Sequence, residues 1–298
     1  GKKRKKLMVK IVDGVIIPQH GPRSPEEDPF IRRHNIRTVD SSSSCRCIPH
    51  WIFLLLLGLM VMFGIIMYYV NNRIPVIFFA LVTWSISLCL HEFGHALVAY
   101  YGGDTSVVDK GYLNLNPAKY TTLVNSLIIP LAMFLLGGIG LPGGAVFIDN
   151  NALKNKKWVS AVSLAGPLAT FLCAFLLCMP FICMSEDFKQ GLLSGPHAFF
   201  WAGLAFCALI QFSALVLNLL PVPPLDGFGA LLPWLPESVQ TWLHTGQNYM
   251  YCGYAGLLLV FMLFWRVPAM WNLILGLTAL FGVPEEAARQ GSALFRFF

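Results

Sequence analysis

Long apolar runs separated by short polar breaks set the organisation of this 298-residue chain. Trp51 to Val70 is apolar throughout and, at about 1.5 Å per helical residue, long enough to cross a bilayer. Asn71-Asn72-Arg73 then makes a turn closed by Pro75, and Val76 to Tyr101 forms a second apolar helix. Residues 102–121 are polar and Gly-containing, which predicts a loop with extended character. Leu123 to Gly140 is apolar again but broken by Pro130, Gly137, Gly138 and Gly140, and residues 140–148 read as extended chain. Trp158 to Met184 and His197 to Leu220 are two further spans, the second ending in the Pro-rich break Pro221-Val222-Pro223-Pro224. Within 231–243, Leu235, Val239, Trp242 and Leu243 share one helical face, as an interfacial helix requires. Tyr249 to Phe264 and Ala269 to Phe281 are short apolar segments split by Arg266 and Pro268, either marginal spans or a helical hairpin. The expected fold is an all-α polytopic membrane protein with about six transmembrane helices. No period suggests internal repeats.

Composition agrees with that reading. Charged residues make up 12% of the chain and hydrophobic residues 56%, whereas a soluble domain carries about 25% charged residues. The net charge of +6 has a local source: residues 1–50 hold eleven Lys or Arg against five Asp or Glu, and the remainder balances at ten against ten. Three parts follow: a basic polar arm at 1–48, a membrane domain at 49–282 and a short tail at 283–298. The arm carries no expected structure beyond a short alternation from Val9 to Ile17 that suits a strand. Being polar and basic rather than apolar, it does not match a secretory signal. Lys2 to Lys6 reads as an anchor to anionic lipid headgroups on the cytoplasmic, stromal or matrix side. Nucleic acid is not an expected partner, because no aromatic or motif-like feature accompanies the run. Cys173, Cys178, Cys183, Cys89, Cys207 and Cys252 lie in apolar runs, and the Cys45-x-Cys47 pair has no second pair at zinc-ribbon spacing, so no disulfide framework is expected.

Chemistry concentrates in His91-Glu92-Phe93-Gly94-His95. Helical positions i and i+4 share one face about 6 Å apart, so both imidazoles can reach a single ion. Glu92 lies beside them, placed to take a proton from an activated water. A charged side chain at mid-membrane costs about 3 kcal/mol on insertion scales, so three ionisable residues within five positions need a shared reason, and a metal supplies it. Zinc takes three protein ligands at catalytic sites. Asp226 stands out as the third because it follows a long apolar helix inside a Pro-rich break; an ordinary interfacial Asp is the other reading of that residue.

His91-Glu92-Phe93-Gly94-His95, the stretch Asn218-Leu-Leu-Pro221-Val-Pro223-Pro-Leu-Asp226-Gly227 and the motif Ala165-Gly166-Pro167-Leu168-Ala169 between them resemble the site-2 protease family of intramembrane zinc metalloproteases, in the compact form without a PDZ domain. The resemblance covers roughly residues 75–230 and keeps the family's motif order. It implies one zinc per chain held by His91, His95 and Asp226, Glu92 as general base, Asn218 on the substrate backbone or oxyanion, and Gly166 and Pro167 at a close helix contact. One position departs from the pattern: Thr170 stands where members commonly carry Asn.

Topology supplies a separate argument. His91 and His95 lie in the C-terminal half of their helix and Asp226 at the C-terminal end of its own, so both helices must run in the same direction to meet one ion. One full crossing then separates them, and 158–184 provides it. Segment 123–148 should therefore enter and return on one side as a re-entrant, partly extended loop beside the active site. Lys110, Lys119, Lys154, Lys156 and Lys157 then share the side of the basic arm. Such an edge can hold an unwound transmembrane substrate by strand pairing. The expected function is intramembrane proteolysis of transmembrane protein substrates, in a bacterial inner membrane or the membrane of a plastid or mitochondrion. The alternative is a structural or accessory subunit of a larger membrane complex, with the arm as a docking element. A prenyl-protein protease would need a Glu ligand on a downstream helix, and Glu186 and Glu237 lie at loop positions.

Overall fold

The computed structural model describes residues 9–12, 15–18, 49–120, 146–245 and 247–295. It divides into two units, Gly1–Arg46 and Cys47–Phe298. In the first, β1 (Val9–Val12) and β2 (Val15–Pro18) pair antiparallel with Val9 opposite Pro18 and Val12 opposite Val15. The apolar alternation expected as one strand is thus folded into a hairpin. The second unit is helical and contains the membrane domain.

Helix α1 (Trp51–Tyr69) starts where His50 Nδ1 accepts a hydrogen bond from the Ile52 amide, and α2 (Arg73–Gly102) starts where Asn72 Oδ1 caps Ile74. Both caps satisfy amides that an unbroken apolar helix would leave bare. Then come α3 (Lys156–Ile182), capped by Asn155, and α4 (Ala198–Asn218). Each of these four is long and apolar enough to cross a membrane. Their surroundings differ: 11% of the most apolar stretch of α1 is buried within the protein, against 67% for α2 and 78% for α4. A helix as apolar as α1 with so little protein cover is stable in lipid, not water. Helices α2 and α4 therefore form the interior.

Their packing fixes their directions. Val76 meets Gly203 and, further on, Ser87 bonds Gln211, so α2 and α4 run parallel. Against α2, the order along α3 is reversed: Trp158 lies at Gly102, Ala165 at Gly94 and Thr170 at His91. Among the described residues, one antiparallel helix lies between the two parallel ones in the chain. The core between them is built from Val76, Ala80 and Trp84 of α2, Ala174, Cys178 and Phe181 of α3, and Phe206, Leu209 and Phe212 of α4.

After α4 the chain turns through the Pro-rich break, with a cis bond between Pro223 and Pro224, into the short α5 (Asp226–Leu231). Helix α6 (Glu237–His244) exposes Trp242 and Val239 and buries Leu243. The apolar helices α7 (Asn248–Arg266) and α8 (Pro268–Leu280) match the two expected short segments. Residues set apart by composition as a tail form α9 (Glu285–Ala293) and dock on α4. Ala287, Ala288 and Phe295 are buried, and the Phe295 ring stacks on Phe206 with centroids 4.1 Å apart. Of the stretch 123–148 expected to be re-entrant, residues up to 145 lie outside the described residues; Val146 to Ile148 are non-helical.

Candidate metal centre

One turn of α2 carries His91, Glu92 and His95, all buried, and the parallel course of α4 brings the start of α5 back to the same level. The Nε2 atoms of His91 and His95 face each other at 3.1 Å. Asp226 closes the triangle with Oδ2 3.2 Å from His91 Nε2 and Oδ1 3.4 Å from His95 Nε2. The ligand atoms of these three residues all lie within 4.8 Å of one another.

Partners on the far side of each imidazole set its orientation. His95 Nδ1 donates to the Val162 carbonyl at 2.7 Å, which leaves a lone pair on Nε2, pointing at the centre. His91 Nδ1 lies 2.9 Å from Thr170 Oγ1. Both partners belong to α3, so this helix orients both rings. Two imidazole nitrogens and two carboxylate oxygens converging on one point repel unless a cation sits between them. The donor set suits zinc, which takes N and O ligands in catalytic sites and keeps a position open.

Gly166 shows why the middle motif lies here. A methyl at this position would collide with His95 Nε2 and sit 2.6 Å from His91 Nε2. At Gly94 a methyl would lie 2.9 Å from the Ala165 carbonyl oxygen, so two glycines let α2 and α3 approach until the imidazoles reach their α3 partners. Pro167, beside Gly166, is buried inside α3. The turn into α5 is equally tight, because a side chain at Gly227 would strike the Leu219 carbonyl.

The metal group opens into a cavity of about 560 Å³ that Glu92, Asn218, Ser163, Gln211 and Leu257 also line. Val146, Ile148 and Asn150 form one wall of the cavity that Glu92 also lines. The structure brings His91, His95 and Asp226 together with Glu92 beside them, Asn218 lines the cavity, Gly166 packs against the imidazoles, and Pro167 is buried next to it in α3. Sequence reasoning missed the residues behind them. Thr170 was noted for its departure from pattern and turns out to be the partner of His91. Val162 contributes only its main chain, which no side chain announces. Ser87 donates to Gln211 Oε1 at 2.7 Å across 124 residues of chain, a pairing that only the parallel packing of α2 and α4 creates.

No family model and no solved structure matches the chain. Among curated proteins it is 38% identical over 231 residues to the Mycolicibacterium smegmatis protein named "Putative zinc metalloprotease Rip2", covering 76% of this chain and 83% of that one. The Mycobacterium tuberculosis (strain H37Rv) protein of the same name is 37% identical over 262 residues, with 84% and 94% covered. The Bacillus subtilis protein named "Putative zinc metalloprotease YwhC" is 29% identical over 188 residues, covering 61% of this chain and 80% of that one. With 83% and 94% of the two Rip2 proteins covered at 38% and 37% identity, and with His91, His95 and Asp226 clustered beside Glu92, the chain belongs to the site-2 protease family of zinc metalloproteases.

Proposed function

We propose that this protein cleaves peptide bonds of transmembrane proteins within the membrane, with one zinc ion at His91, His95 and Asp226. The observation that carries this reading is the convergence of the ligand triangle and Glu92 on a cavity between apolar helices. A bare metal site in such surroundings has few uses, whereas hydrolysis of a membrane-embedded chain needs each of these groups.

Zinc at these three donors supplies Lewis acidity, lowering the pKa of water to near neutral and polarising a carbonyl. Glu92, the next residue after a ligand, accepts the proton of the attacking water and returns it to the leaving amine. Asn218 is buried in the cavity lining, where its carboxamide can donate to the oxygen that gains charge as the carbonyl becomes tetrahedral. Thr170 and Val162 keep the Nε2 lone pairs of His91 and His95 aimed at the centre. The non-helical Val146–Ile148 wall offers main-chain groups to a substrate that has left its helix.

Lys110, Lys154, Lys156 and Lys157 flank this end of the bundle, and we assign it to the cytoplasmic side, together with the basic arm at 1–48 and its anionic lipid partners. The bacterial origin of the Rip2 and YwhC relatives supports a bacterial inner membrane. The test is cleavage of single-span reporter proteins in proteoliposomes. Wild type should cut within the apolar segment and Glu92→Gln should not, while both retain zinc. Cutting confined to soluble parts of the reporters would refute the intramembrane assignment.

A further inference from the structure

Besides Glu92, Asp104 is the only fully buried carboxylate among the described residues, and nothing in the proposed chemistry uses it. It follows the end of α2 by two residues and is 1% exposed. An uncompensated carboxylate there would be costly, and three donors compensate it. Oδ1 accepts from the Ser106 amide at 3.0 Å and from Ser106 Oγ at 2.6 Å. Both bonds are local. The third is not: Oδ2 accepts from the Asp149 amide at 2.8 Å, 45 residues away in the chain.

Asp149 follows directly on the wall of the catalytic cavity. Val146, Ile148 and Asn150 line that cavity together with His91, Glu92, His95 and Asp226. Further contacts hold the same strap to the end of α2. Lys154 donates from its amide to the Gly102 carbonyl at 3.0 Å and from Nζ to the Tyr101 carbonyl at 2.8 Å, and Lys110 Nζ donates to the Phe147 carbonyl at 2.6 Å. Gly103 has φ +123°, and a side chain there would lie 2.6 Å from the Ala152 carbonyl oxygen, so the strap passes directly over it. The two lysine side-chain bonds are solvent-exposed and correspondingly weak, whereas the Asp104 bond is charge-assisted and shielded.

We propose that Asp104 is a positioning residue for proteolysis: by holding the Asp149 amide it fixes the Val146–Asn150 wall, and that wall decides which peptide bond of the substrate faces the metal and Glu92. Asp104 acts through the strap and does not touch substrate. Three residues of extended chain, about 10 Å, separate the pivot at Asp149 from Val146, which lines the cavity with Glu92, so slack at the pivot reaches the wall that faces the reacting groups. A misplacement of about 1 Å at a reacting centre costs on the order of 10²-fold in rate. The proposal rests on the proteolytic reading above.

The experiment compares Asp104→Ala, Asp149→Pro and Asp149→Ala in the full chain, reconstituted with zinc in phosphatidylethanolamine–phosphatidylglycerol vesicles. Asp149→Pro deletes the amide donor together with the side-chain cap on Asn151, at a φ of −85° close to the range proline adopts. Asp149→Ala keeps that amide and loses the side-chain cap on Asn151, so it is the control. The probe is a single-span reporter with about twenty apolar residues interrupted by one Gly-Pro pair. Fragments are mapped by mass spectrometry, and hydrogen–deuterium exchange is followed at amides 146–150.

Asp104→Ala and Asp149→Pro should both loosen the 146–150 amides, lower kcat/KM by about 10²-fold and spread cleavage over neighbouring bonds, with zinc content unchanged. Asp149→Ala, which keeps the amide, should leave the 146–150 amides as protected as in wild type and keep the wild-type cleavage bond. The proposal is overturned if the two variants cut the same single bond as wild type at its rate, or if they lose zinc along with activity, which would make Asp104 a general fold residue. Loosened amides in Asp104→Ala with no cleavage by wild type would instead remove the proteolytic reading, and this proposal with it.

Discussion

A single methyl added at Gly166 tests the metal centre without touching a ligand. In Gly166→Ala the new carbon would lie 2.6 Å from both His91 Nε2 and His95 Cε1 and closer still to His95 Nε2, where ordinary contact begins at 3.4 Å. The imidazoles must therefore retreat by about 1 Å. They have no free direction, because His91 Nδ1 is held at 2.9 Å by Thr170 Oγ1 and His95 Nδ1 at 2.7 Å by the Val162 carbonyl. Either those bonds break or α3 moves away from α2. Loss of a partner behind a metal-binding histidine lowers metal affinity by about 10–100-fold, and two rings are displaced here together. The expected loss is about 10²-fold in zinc affinity, or about 2.7 kcal/mol, with about 1–3 kcal/mol of overpacking on stability. The assay is competition with a fluorescent zinc chelator in detergent, alongside thermal unfolding. Gly276→Ala is the control, since no atom lies within 4 Å of its new methyl; it should gain about 0.5–1 kcal/mol without changing zinc affinity. Zinc binding by Gly166→Ala within about 2-fold of wild type, where 1.4 kcal/mol is tenfold, would refute the reasoning.

Further expectations follow from the same geometry. Thr170→Val removes the partner of His91 at nearly constant volume and should weaken zinc by about 10–100-fold in the same titration, while Thr170→Asn, the residue the family commonly carries, should restore most of it. Gly291→Ala would bring a methyl to 2.8 Å from Phe206 Cβ and onto the Ala202 carbonyl, so it should lower the unfolding temperature through loss of about 1–3 kcal/mol while leaving zinc stoichiometry intact.

Much of the site was legible because its residues are chemically out of place. His91, Glu92 and His95 interrupt an apolar helix, and Asp226 interrupts a Pro-rich break, so each carries its own signal. The parallel course of α2 and α4 followed from the need to bring those residues to one ion, and the Ser87–Gln211 pairing agrees with it. Residues that act through the main chain or across distant helices left no such mark. Val162 contributes a carbonyl, and Asp104 is an ordinary loop carboxylate until the fold brings Asp149 to it. Helix α9 was hidden for a different reason. Its buried face is made of Ala287, Ala288, Gly291 and Ser292, small residues that score as weakly apolar yet allow close contact with α4. In Thr170 a departure from the family pattern retained a hydrogen-bonding side chain at the right height on α3, which composition alone does not reveal.

Zinc content tests the central claim most directly. Purified wild-type protein, His91→Ala, His95→Ala, Asp226→Ala and Glu92→Gln are compared by elemental analysis at matched folding, judged by thermal unfolding. The expected result is one zinc per chain in wild type and Glu92→Gln, and none in the three ligand variants. Zinc retained in Asp226→Ala, or none in folded wild type, would contradict the three-ligand centre and the proteolytic chemistry built on it.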